Sequence, residues 1–276
     1  MTDQFEWTGQ VGNAWAEEWQ RTDRSFTPVT ERLLEVARAH AFTRVMDIGC
    51  GAGELSVALA ADTPSARVTG VDVSKDLLGV ARVRASKLGN LRFALGDAAA
   101  WTAGEGERPD LLVSRHGVMF FDDPVAAFAH IAGQAMPGAD LVFSCFRERA
   151  ENGWVRELAS ALPPGDGPKP DPHAPGPFAF GDRERVEGIL SEAGWQEIGF
   201  ESIDYSMVVG EGEDAVDEAL SYFLRIGPAA RAIASLDGSQ RGEALARLRG
   251  VLEAHHRGDA VSLPAACWIV TARSPR

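Results

Sequence analysis

Between Thr43 and Phe146, short apolar runs alternate with segments of helical periodicity, and no other feature of this 276-residue chain narrows its fold as much. Arg44–Ile48, Arg67–Val71, Leu91–Leu95, Asp110–Ser114 and Ala139–Phe146 read as strands. Glu54–Ala61, Ser74–Lys87 and Pro124–Ala135 read as helices between them, the second opened by Ser74 as N-cap. Strands joined in this way run parallel, because a crossover long enough to return to the same end of a sheet is usually a helix. The expected class is α/β: a Rossmann-like doubly wound sheet, mostly parallel with an antiparallel last strand, and helices on both faces.

The flanks depart from this alternation. Residues 1–42 are expected to form an N-terminal helical cap. Trp7, Val11, Trp15 and Trp19 recur every fourth residue, which lines one helical face. Pro28 is expected to open a second helix, with Val29, Leu33, Leu34, Val36 and Ala37 as its apolar stripe. Residues 43–146 make the core. Residues 147–209 combine a proline-rich loop, Pro163 to Pro177, with a helix from Asp182 to Ala193 and a strand from Trp195 to Val209 that returns to the sheet. Residues 210–260 read as a helical insertion serving as a lid, and residues 261–276 as the last strand, centred on Cys267–Ala272.

Charge and cysteine content exclude several functions. Lys+Arg number 27 against 40 Asp+Glu, a net charge of −13 with no basic block, so a nucleic-acid partner is not expected. No apolar run approaches the roughly 18 residues of a membrane span, and Met1–Trp7 lacks a basic-then-apolar leader. Cys50, Cys145 and Cys267 are odd in number and far apart, which makes neither a disulfide framework nor a zinc pattern. A cytoplasmic location and no metal are the expectations.

Chemistry concentrates at Val45-Met46-Asp47-Ile48-Gly49-Cys50-Gly51-Ala52-Gly53-Glu54. A glycine turn between a strand and a helix lets backbone approach a ligand closely. Asp72 ends the next strand, 19 residues after Gly53, where a carboxylate can accept hydrogen bonds from ribose hydroxyls. Asp97 follows the third strand. The glycine spacing is one residue short of the dinucleotide fingerprint, and Asp47 lies just before it. A carboxylate there sits poorly against a pyrophosphate and well beside an ammonium group. A cofactor with a cationic amino-acid tail, a ribose and an adenine therefore fits better than NAD.

The segments Asp47–Gly53, Gly70-Val71-Asp72-Val73-Ser74 and Gly96-Asp97-Ala98-Ala99 resemble the first three motifs of class I S-adenosylmethionine-dependent methyltransferases. Ser114-Arg115-His116 and Met136-Pro137-Gly138-Ala139-Asp140-Leu141 resemble later ones, with Ala139 where the family commonly has a second glycine. The flanks, including Trp7–Gly12 and Ala174–Phe180, resemble a bacterial subgroup without indicating its substrate. The resemblance implies S-adenosylmethionine as cofactor and S-adenosylhomocysteine as product. It implies that Gly49, Gly51 and Gly53 pass under the cofactor's methionine and ribose. Asp47 would help hold the amino group, Asp72 the ribose hydroxyls, and Val73 would lie against the adenine. Asp97 and Ala98 would bond the adenine edge, and Ser114 and Arg115 would line the methionine tail through their backbone.

For the transfer itself, His116 is the candidate base, lying just past the fourth strand at the edge where ligands bind in such sheets. A packing role under a lid is the other reading of this histidine. Trp15, Trp19, Phe146, His173, Phe178 and Tyr222 are candidates for a substrate pocket; for the aromatics, a place in the core of their own helices is equally open. The expected function is methyl transfer to a small, apolar or aromatic molecule, with O- or N-methylation favoured. An NAD(P)-dependent oxidoreductase and a non-catalytic cofactor-binding module are the competing readings. Oligomeric state is not legible.

Overall fold

The computed structural model describes residues 7–163 and 171–276. Pro164, Pro168 and Pro170 of the proline-rich loop, and the first six residues, lie outside the described residues. The core sheet is built from β1 (Arg44–Ile48), β2 (Arg67–Asp72), β3 (Leu91–Leu95), β4 (Leu111–Arg115), β5 (Asp140–Phe146), β6 (Gln196–Glu211) and β8 (Ala260–Arg273), with the short β7 (His256–Arg257) paired to β8. Their order is β3-β2-β1-β4-β5-β8-β6. Pairings from β3 through β5 are parallel, whereas β8 runs antiparallel to both β5 and β6. This is the expected doubly wound, mixed sheet. The chain steps outward from β1 to β2 and β3, then returns to place β4 on the other side of β1. That reversal opens a crevice at the carboxyl ends of β1 and β4.

The helices are α1 (Gln10–Glu17), α2 (Trp19–Arg38), α3 (Glu54–Asp62), α4 (Lys75–Arg84), α5 (Pro124–Gln134), α6 (Gly153–Ala161), α7 (Arg183–Glu192), α8 (Ala215–Phe223), α9 (Gly227–Ala234) and α10 (Gly238–Ala254). Ser74 caps α4 as expected, its hydroxyl accepting from Leu77 N–H. β1, β4 and β5 are buried along nearly their whole length, which is why they read as continuous apolar runs rather than alternating ones.

Pro28 does not open a helix. It lies inside α2, which continues for 20 residues. Two hydroxyls in the turn before it bond to backbone, Ser25 Oγ donating to Thr22 C=O at 2.8 Å and Thr27 Oγ1 to Asp23 C=O at 3.2 Å, while the carbonyl that loses its helical donor to proline is that of Arg24. The buried stripe Val29, Leu33, Leu34 and Ala37 then packs as the periodicity requires. The last strand, β8, begins at Ala260, ends at Arg273 and pairs with β6 along most of its length. The β6–β8 pairing carries two register shifts, between Gln196 and Gly199 and between Val208 and Gly210.

The inserted helices α8–α10 lie between β6 and β8, as their sequence position requires. They dock on α2 through Arg24–Glu218 at 2.9 Å and through Thr22 Oγ1 and Tyr222 Oη at 3.3 Å. No described helix is long and apolar enough to cross a membrane.

Candidate active site

Parallel register fixes the floor of the crevice. Asp47 of β1 stands opposite Gly70 of β2 and Val113 of β4, so the chain leaves β1 with β2 on one side and β4 on the other. Gly49 then adopts φ +63°, and a Cβ there would come within 3.0 Å of Gly117 Cα in the turn after β4. Glycine on both sides is what allows the two turns to approach. Gly53, at φ +82°, opens α3 and is held against Ala81 and Phe93. Its constraint is helix–strand packing; contrary to expectation, it does not line the cavity.

Above these turns lies a cavity of about 370 Å³. It is lined by Asp47, Gly49, Gly51, Asp72, Val73, Asp97, Ala98 and Arg115, eight of the ten residues expected around a cofactor. Ser114 is the other exception. It is fully buried, donates to Ile48 C=O at 2.7 Å and accepts from Gly117 N–H, so it braces the two turns from behind.

The acids are held in defined poses. Asp72 Oδ2 accepts from Gly51 N–H and Oδ1 from Ser74 N–H, both at 2.8 Å. These bonds orient the carboxylate and leave lone pairs for further donors. Burial pushes its carboxyl above the ordinary range despite the backbone donors. Asp47 accepts from Ser56 Oγ at 2.6 Å. Burial raises its carboxyl to about 6, against the Ser56 bond and the charge of Arg115, which lower it. Asp97 Oδ1 accepts from Ala99 N–H at 2.8 Å and remains half-buried.

His116 lies on the cavity wall, but not in the setting of a general base. It sits at φ +61°, an uncommon conformation for a residue with a side chain. Nδ1 is 2.8 Å from Ser144 Oγ and Nε2 is 3.4 Å from Cys267 Sγ. Phe26 and Phe146 pack on the ring at centroid distances of 4.8 and 4.5 Å. Burial, with the Arg115 charge beside it, lowers its pKa to about 3. The folded state therefore keeps the ring neutral while the unfolded chain protonates below about 6.5. Stability linked to this residue is complete above that pH and falls as pH drops toward 3, by about 1.4 kcal/mol per unit. Denaturant titrations at pH 7 and pH 5 should show His116→Leu losing about 2 kcal/mol less than the parent on acidification. Equal losses would refute a buried neutral ring.

Of the expected substrate-pocket residues, Trp15, Trp19 and Phe146 line the cavity, whereas His173, Phe178 and Tyr222 do not. His173 is exposed on its loop. Phe178 stacks behind Phe146 and Trp154, each at 5.8 Å, and its neighbour Pro177 reaches the cavity instead. Tyr222 is spent on anchoring α8 to α2. No residue of 210–260 lines the cavity, so the insertion acts on it only by supporting α2. The cover comes from the N-terminal helices: Trp7 meets Trp15 at 5.5 Å and Phe120 at 5.1 Å.

A charged network not foreseen from the sequence ties this cover to the turns. Arg115 pairs with Asp23 at 2.9 Å, donates to Thr30 Oγ1 at 3.0 Å and pairs with Glu54. Arg84 pairs with Asp23 at 2.8 Å, donates to Ala52 C=O at 3.0 Å and lies over the Trp19 ring at 4.2 Å. Asp23 is a mid-helix charge without a motif and Glu54 is the first residue of α3, so only the packing of α2 against β4 and α3 reveals their joint use. The cavity lining as a whole holds Asp23, Asp47, Glu54, Asp72, Asp97, Asp122 and Asp123 against Arg115 as its cation. Among the described residues no cluster of three His, Cys, Asp or Glu is placed to hold a metal ion.

Comparison with known proteins agrees with this geometry. The sequence model of the methyltransferase-domain family matches residues 45–138, the segment that supplies the turns and the three acids. Residues 45–138 of this chain are a methyltransferase domain. The chain is 31% identical over 147 residues to trans-aconitate 2-methyltransferase of Paracidovorax citrulli, covering 52% of this chain and 55% of that protein. It is 38% identical over 154 residues to the protein of the same name from Streptomyces coelicolor, covering 50% of each. The chain thus spans about half the length of the curated relatives it matches. In three dimensions it resembles phosphoethanolamine N-methyltransferase 2 of Haemonchus contortus, solved with phosphomonomethylethanolamine and S-adenosylhomocysteine. The TM-score is 0.56 at 18% identity, over 96% of this chain and 58% of that one, a likeness of fold.

Proposed function

We propose that this methyltransferase moves a methyl group from S-adenosylmethionine to the oxygen or nitrogen of a small, apolar or aromatic acceptor that carries no negative charge. One observation carries the reading: a cavity with a carboxylate-rich cofactor end and an aromatic end at Phe26, His116 and Phe146. The fit to the cofactor follows from the donor set. Asp47 suits an ammonium group, Asp72 a pair of ribose hydroxyls and Asp97 an adenine amino group, while Gly49 and Gly51 present backbone without side-chain obstruction. The same acids would repel the pyrophosphate of a dinucleotide.

When bound, the cofactor supplies an electrophilic methyl on a cationic sulfur. The protein's own part is then positioning, exclusion of water and a surrounding negative potential. His116 contributes a fixed, uncharged wall rather than a base. A neutral amine is the acceptor class that needs the least help from such a wall.

The acceptor of the aconitate-methylating relatives does not suit this lining. A tricarboxylate needs free cations, and Arg115 is already shared between Asp23 and Glu54. A panel of aromatic amines, phenols and trans-aconitate, read by mass spectrometry for products one methylene heavier, tests the proposal. Product and S-adenosylhomocysteine should form in equal amounts with an uncharged acceptor. Turnover of trans-aconitate above the rest of the panel would contradict it.

Asp47 gives a second test. With its carboxyl raised from 3.8 to about 6, the apo fold is destabilised as pH rises between those values, because the buried group must ionise. Asp47→Asn should therefore stabilise the apo protein at pH 7, by on the order of 2–3 kcal/mol. It should also weaken S-adenosylhomocysteine binding. Parental affinity should climb by up to about tenfold per pH unit below 6 and level off above it, and the variant should be flat. A pH-dependent variant would show that Asp47 is not the group responsible.

A further inference from the structure

A second hollow, of about 380 Å³, lies at the opposite ends of β1, β2 and β3 and shares no lining residue with the first. It exists because the β3–β4 connection, residues 96–110, contains no helix. Parallel sheets are normally covered on both faces by their crossover helices. Here a loop bearing Trp101, Glu107 and Pro109 stands over the sheet instead.

Strand register decides what faces into this space. Arg44 of β1 pairs with Arg67 of β2, and Thr69 of β2 with Arg92 of β3. Paired residues on parallel strands share a face, and so do residues two apart on one strand. Arg44, Arg67 and Arg92 therefore emerge on one face at one end of the sheet. Arg92 is held by Thr69 Oγ1 at 3.0 Å and by Glu107, the one carboxylate among the described lining residues. All three guanidiniums act on Glu107, lowering its carboxyl, Arg92 most strongly. Among the described residues Arg44 and Arg67 form no ion pair of their own. The nearby Asp110 is occupied by Thr43 N–H, Thr43 Oγ1 and Arg44 N–H at 2.6 to 3.0 Å. Three guanidiniums against one carboxylate make this hollow cationic in a chain of net charge −13.

We propose that the hollow is a second binding site, for a small polyanion bearing two or more phosphate or carboxylate groups. Guanidinium forks pair with both oxyanions in bidentate fashion, and the buried apolar side chain of Met46, on the same face as Arg44, strengthens such pairs. This site is independent of the methyl-transfer reading. Calorimetric titration of the full chain with sodium pyrophosphate and, separately, sodium citrate, at matched ionic strength, tests it and separates the two ligand types. One site with Kd below about 1 mM is expected for at least one probe. Arg67 is exposed at the start of its strand, so Arg67→Gln should fold, as circular dichroism would verify, and bind the probe at least about tenfold more weakly. The Arg44→Gln/Arg67→Gln pair should not bind at all. No heat from either probe, or the same isotherm for parent and Arg67→Gln, would overturn the assignment.

Discussion

Asp72→Ala should weaken S-adenosylhomocysteine binding by at least about 100-fold, because two hydrogen bonds to a charged acceptor are worth roughly 3–6 kcal/mol together. The loss has two parts. The carboxylate that would receive the ribose hydroxyls disappears, and Gly51 N–H and Ser74 N–H lose the acceptor that now holds them at 2.8 Å. Gly51 belongs to the turn beneath the cofactor, so its freedom adds an ordering cost to binding. Asp97→Ala should cost less, about tenfold, since Asp97 is half-buried and organises only its own turn. Fluorescence titration of both variants checks the order. A loss of less than about threefold for Asp72→Ala would remove this residue from the cofactor site.

Arg115→Met should lower the free energy of unfolding by about 3–5 kcal/mol, the usual cost of leaving a buried carboxylate without its partner. Arg115, Asp23 and Glu54 have side-chain exposures of 16%, 12% and 22%, so water relieves the exposed charge only in part. Asp23 keeps Arg84, whereas Glu54 keeps only its contact with the Thr30 hydroxyl. The double variant Arg115→Met/Glu54→Gln should therefore recover a sizeable share of the stability. Urea denaturation of the four-member cycle measures that coupling. Additive losses would show that Arg115 supports the fold by packing on Phe26 rather than by charge.

The parts of the fold that could be read in advance are those written locally. Short strands, a capped helix and a glycine turn each carry their own residue pattern, and two acids at strand ends point to a ligand by position alone. Residues whose use depends on a distant partner carried no such mark. Asp23 and Arg84 are unremarkable helix charges until α2 lies across the sheet. Arg44, Arg67 and Arg92 stand 23 and 25 residues apart, and only parallel register aligns them. Aromatic residues were ambiguous for another reason: Trp15 at the cavity and Tyr222 at a helix contact obey the same burial rule. Pro28 stands inside α2 although proline favours a first helical turn, and no local residue pattern marks that the helix already runs before it.

The most direct test of the central claim is calorimetric titration of the purified chain with S-adenosylhomocysteine. The structure predicts one site, a Kd in the micromolar range (about −8 kcal/mol), and binding that strengthens as pH rises toward 6. Absence of binding at millimolar ligand, or tighter binding of a nicotinamide dinucleotide, would contradict it.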